Sequence, residues 1–151
     1  MLTQFFKRRT VRGFYLPLFG ALLSFVASLI YIFAYTGTNY FNIMAFLFPL
    51  FSVFGFIGLL LFSKTEKFAS LCLCLFSFLG MLFFIHASYL YLSTVFYDGV
   101  TIQAILNINP CFVLTLLFEL LTIVFGNIGV YVPPRKEQEN KKAIMEENGN
   151  D

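Results

Sequence analysis

Four apolar runs, each of about 20 residues or more, leave this 151-residue chain little else with which to build a fold. They cover residues 16–36, 42–63, 68–96 and 110–132 and are joined by two short connections and one sizeable loop, 97–109. A run of that length matches the hydrocarbon thickness of a bilayer, where every backbone N–H and C=O must be satisfied within the segment, so each run reads as a helix. With 59% hydrophobic and only 12% charged residues, the chain lacks the polar cover a water-soluble domain of this size needs. The expected fold is all-α: a polytopic membrane protein built as an antiparallel four-helix transmembrane bundle. Residues 1–15 form a basic cytoplasmic N-terminal segment, 16–132 the bundle, and 133–151 a polar cytoplasmic tail expected to be disordered.

Charge placement sets the threading. All ten Lys and Arg fall in the N-terminal segment, the Lys64–Lys67 turn or the tail, and the two opposite loops hold none. The positive-inside rule then predicts a multi-pass protein of the cytoplasmic (plasma) membrane with both termini in the cytoplasm. A bias this complete argues against a dual-topology dimer. The basic start followed by an apolar run has the look of a signal peptide, but the run from Leu16 to Tyr35 is longer than a signal core and lacks a small-residue cleavage site, so it reads as a retained span. Six of the eight Tyr, at positions 31, 35, 40, 89, 91 and 97, lie in or near the outer half, as an interfacial belt or a Tyr-lined cavity would have them. The abundance of Phe reads as a genomic compositional bias rather than an aromatic cage.

Local signals place the helix ends. Gly37 reads as the stop of the first span, and Asn109 and Pro110 as the N-cap and first residue of the last. Pro49 should kink the second span, the long third span should tilt or project, and Ile-Gln-Ala-Ile-Leu after the Asp98-Gly99 turn should form a short interfacial amphipathic segment. Pro133-Pro134 ends the last span.

The most informative stretch is 109–132. Thr115, Glu119, Thr122, Gly126 and Gly129 follow at steps of four, three, four and three, the spacing that keeps one face toward a partner helix. Asn127 and Cys111 alone interrupt the apolar remainder. Gly20, Ser24, Ala27, Tyr31 and Ala34 repeat the pattern in the first span; Ala45, Ser52, Gly55 and Gly58 share a side of the second; Ser70, Cys74, Ser77 and Ser88 line the third, flanked by Gly80 and Ala87. Small residues at such faces let helices approach closely, so Gly20, Ser24, Ala27, Ser52, Gly55, Ser77, Thr115, Thr122, Gly126 and Gly129 are the expected packing positions.

Glu119, near the middle of its span, is the residue most in need of explanation. An acid there costs about 3 kcal/mol on the insertion scale, while some fourteen apolar residues in the same span contribute roughly −0.4 kcal/mol each, so insertion tolerates it without explaining it. One expectation pairs Glu119 with His86 as a proton- or cation-responsive couple; the other has a protonated Glu119 bonded to Thr115 or Thr122, with His86 near the outer interface.

Cys72, Cys74 and Cys111 invite comparison with four-span thiol oxidases, but residues two apart on a helix point to different sides and Cys111 is at the opposite end of the membrane, so they read as packing residues. No nucleotide, zinc-protease or nucleophile-elbow motif is present. No catalytic residue, metal ligand or cofactor is therefore expected, and no nucleic acid. A parallel between YTGTNYFNI and YDGVTIQAILNI, each leading to a helix with an early Pro, would make the fold two related hairpins, though similar topology reuses similar turn signals. The segments FYLP, YTGTNYF, VFYDG, NINP and GNIGVY together resemble small four-span proteins of Gram-positive anaerobic bacteria. That resemblance covers the spans and outer loop but not the tail, and implies the four-span fold and membrane location with no functional residue. The expected role is a non-enzymatic accessory or scaffold subunit binding another membrane protein or itself, with a small oligomeric transporter or channel using Glu119 as the alternative.

Overall fold

A computed structural model describes residues 11–62, 65–97 and 99–132, with only the backbone of Val11 and Lys67. The basic residues 7–9, the expected disordered tail, the Pro133-Pro134 stop, Lys64 and Asp98 lie outside the described residues. The fold is an all-α four-helix bundle. Its long helices are α1 (Leu16–Tyr35), α2 (Ile43–Leu61), α3 (Glu66–Val95) and α5 (Pro110–Tyr131), with the short α4 (Ile102–Leu106) between the last two. All four long helices have the length and hydropathy to cross a membrane.

The ends follow from local chemistry. A π-helical turn, Val11–Tyr15, carries the chain into α1, where Pro17 occupies the first turn and its missing N–H costs nothing. Gly37 adopts φ +85°, which a side chain resists, and ends α1. Asn42 and Asn109 cap α2 and α5, their Oδ1 atoms accepting from the N–H groups of Met44 and Cys111 at 2.9 Å. Gly99 at φ +97° turns the chain toward α4, whose cap is Thr101, accepting from Ala104 N–H at 3.1 Å. The third helix starts at Glu66, two residues before the sequence suggests, because Thr65 and Glu66 both donate to the carbonyl of Phe62 and leave a minimal turn. An acid in the first turn suits the positive end of the helix dipole. At 30 residues α3 is about 45 Å long, well over the hydrocarbon thickness.

The long helices form a ring in the order α1, α2, α3, α5, and α1 also meets α3 across the diagonal. Most outward-facing positions are apolar, among them Phe25, Phe33, Phe51, Phe54, Leu75 and Leu117. Inside, three layers follow one another. Tyr31, Tyr35, Ala45, Phe84 and Phe112 form an aromatic layer at the end carrying the 36–42 and 96–109 connections. Ala21, Phe56, Ala69 and Leu73 form a layer of smaller residues toward the other end. Hydroxyls and one carboxyl lie between them.

Candidate functional site

Every residue of the α5 stripe, Thr115, Glu119, Thr122, Gly126 and Gly129, is buried, as the four-three spacing requires. The glycines explain how closely the helices approach. A Cβ at Gly126 would stand 3.3 Å from Cys74 Cβ, one at Gly129 would overlap Pro17 and Ser70, and one at Gly20 would lie 3.2 Å from Phe125 Cβ. Gly55 faces Cys72, whose Sγ would be 2.6 Å from an added Cβ. Two of the three cysteines thus fill space against glycines, and all three are free thiols. Gly58 differs from expectation: it faces open space, because the buried side of α2 runs through Ala45, Pro49, Ser52, Val53 and Phe56.

These approaches bring one polar side chain from each long helix to mid-depth. Ser24 of α1, Ser52 of α2, Ser77 of α3 and Glu119 of α5 are at most 1% exposed. The Ser24 hydroxyl is the hub: it donates toward Glu119 Oε1 at 3.2 Å, with Oε2 at 3.5 Å, and lies 3.3 Å from Ser52 Oγ and 3.4 Å from Ser77 Oγ. Ser77 donates to Ser52 at 3.1 Å, and Ser52 donates to the Pro49 carbonyl at 2.6 Å. That carbonyl is also 3.4 Å from Ser24 Oγ.

Neither expected partnership of Glu119 is formed. His86 is exposed on the outside of α3, since it sits two positions from both Phe84 and Ser88 and a two-residue step turns about 200° around a helix. The threonines do not serve the carboxyl either. Thr122 Oγ1 is within hydrogen-bond reach of the carbonyls of Gly20 at 2.9 Å and Phe118 at 2.8 Å, and so ties α5 to α1 while bonding back within its own helix. Thr115 Oγ1 is buried without a partner. The remaining packing positions are placed as expected: Gly20, Ser24 and Ala27 are buried in α1, Ser52 in α2 and Ser77 in α3, and Gly55 is half-buried.

Sequence spacing selects Ser24, Ser52 and Ser77 as packing residues but does not reveal that they meet at the carboxyl. The signal was depth: each is a polar residue near the midpoint of its span, as is Glu119. The Pro49 carbonyl is a further member that spacing alone does not single out.

Compared with known protein families, with characterised proteins and with solved structures, the chain matches none.

Proposed function

We propose that this is a non-enzymatic membrane subunit that binds another membrane protein, or further copies of itself, through the outer surface of a self-contained bundle. It would lie in the cytoplasmic membrane with both termini in the cytoplasm, as the confinement of all ten Lys and Arg to the termini and the 64–67 turn suggests. One observation carries the reading. The small-residue stripes are consumed inside the bundle, yet His86 and Asn127 face outward from α3 and α5 within apolar spans. Polar groups facing lipid are costly, and a neighbouring protein that hydrogen-bonds them removes that cost.

Purification of the full chain in mild detergent, followed by mass measurement, tests the proposal. The expected result is a defined multimer or a stoichiometric partner that is lost when His86 and Asn127 are both replaced by Leu. A monomer without a partner, or a complex indifferent to that double replacement, would overturn it. The rival reading, a small transporter or channel, draws its support from Glu119, but the carboxyl points into one bundle, so a path between copies would not meet it.

A further inference from the structure

At mid-depth the bundle gathers six oxygens: both of Glu119, the hydroxyls of Ser24, Ser52 and Ser77, and the Pro49 carbonyl. No cationic side chain meets them among the described residues. The titratable groups nearest along the packed helices are turned elsewhere: Cys74 toward Gly126 and Ile123, Cys72 toward Gly55, and Tyr31 toward Asn42.

Hydroxyl hydrogens are scarce at this centre. Ser52 directs its proton to the Pro49 carbonyl, and Ser77 is within reach of both Ser52 and Glu119. Ser24 and Ser77 are thus the two hydroxyls that serve a carboxylate offering about four lone-pair sites. An ionised carboxyl at this depth needs a counter-charge. Ordinary O–H···O bonds cluster near 2.7–2.8 Å, and the Ser52 to Pro49 bond is of that kind at 2.6 Å, whereas the contacts of Ser24 Oγ run from 3.2 to 3.5 Å. Oxygens that bind an ion at about 2.4 Å, a distance at which calcium is also held, stand about 3.4 Å apart when set at right angles.

We propose that Glu119, Ser24, Ser52, Ser77 and the Pro49 carbonyl bind one dehydrated monovalent cation, and by size that cation is sodium. A single carboxylate neutralises one positive charge, so a divalent ion would remain uncompensated. Oxygen ligands, backbone carbonyls among them, are what membrane proteins use for such ions. On the loop side of the cluster the Thr115 hydroxyl, one turn from Glu119 on α5, is buried without a partner. The site is independent of the subunit role proposed above.

Thermal unfolding of the full chain in detergent tests it, with sodium, potassium or choline chloride at constant ionic strength and at one acidic and one alkaline pH. At alkaline pH, saturating sodium is expected to raise Tm by about 5 °C over choline. Potassium should do less, and acid should shrink the effect as protons compete. Ser77→Ala should need severalfold more sodium for the same rise, and Glu119→Gln should lose the response. Equal Tm in sodium and choline at both pH values overturns the site. A pH effect with no sodium effect also overturns it, since the cluster then takes a proton alone. A full sodium response in Glu119→Gln would place the ion elsewhere. Should Glu119→Gln fail to fold, the wild-type series and Ser77→Ala still decide.

Discussion

The pyrrolidine ring of Pro49 lies directly on the bare backbone of Gly80, where even a methyl group would collide with the ring Cγ and Cδ. Pro49 cannot donate a hydrogen bond within α2, and its ring takes up the space that a side chain on α3 would fill. This contact sets the spacing of α2 and α3 at the depth where Ser52 and Ser77 meet. Gly80→Ala is therefore expected to destabilise the bundle by about 1–3 kcal/mol, the usual cost of overpacking. Adding Pro49→Ala should recover part of the loss. Thermal unfolding of the two single variants and the double variant in detergent checks this, and strictly additive effects would separate the two residues.

Substitution by Leu should distinguish the inner from the outer face of the helices. Ser24→Leu and Gly126→Leu force a large side chain between helices in contact, whereas Val124 is exposed on the far side of α5. The first two should lower Tm by several degrees and Val124→Leu should leave it nearly unchanged. Equal stability of all three would mean that the packing faces are misassigned.

The connections at the loop end are tied down by tyrosines. Asn42 N–H donates to Tyr31 Oη at 2.7 Å, and Asn109 N–H donates to Tyr91 Oη at 2.6 Å. Tyr31→Phe keeps the aromatic stacking on Tyr35 and Phe41 but removes that acceptor. The expected cost is about 1 kcal/mol, with faster hydrogen exchange at the Asn42 amide as the specific sign. Unchanged exchange there would show that the tyrosine does not hold the loop.

Much of this architecture was legible in the sequence. Apolar run lengths gave the four helices, Asn109-Pro110 and Gly37 gave their ends, and the four-three spacing gave the buried face of α5 residue by residue. Periodicity was weaker in α2, where Pro49, Val53 and Phe56 carry burial that small residues did not mark, and Gly58 was drawn in wrongly. The partner of Glu119 was not legible. Depth alone made His86 a candidate, but pairing needs depth and angular position together, and the relative rotation of α3 and α5 is fixed by contacts such as Gly126 on Cys74 and Gly129 on Ser70. Those are tertiary facts that no spacing within one helix encodes.

The proposed threading makes its own prediction, drawn from the one-sided placement of Lys and Arg. A cysteine placed at Thr38 or Gln103, both exposed at the loop end, should react with an impermeant thiol reagent in intact cells, and one at Asn148 should not. The opposite pattern would reverse the orientation while leaving the bundle intact.

The central claim is that Glu119 is held by serines of the bundle interior rather than by a partner on its surface, and a paired set of double-mutant cycles tests it most directly. Ser24→Ala with Glu119→Gln, and His86→Gln with Glu119→Gln, would be compared by unfolding in the same detergent. Interhelical hydrogen bonds in membrane proteins couple by about 0.6 kcal/mol on average and up to about 1.7 kcal/mol. The structure predicts coupling of that order between Ser24 and Glu119, and none between His86 and Glu119, given a Ser24 Oγ to Glu119 Oε1 distance of 3.2 Å and a His86 side chain on the outer surface. Coupling at His86 with none at Ser24 would contradict it.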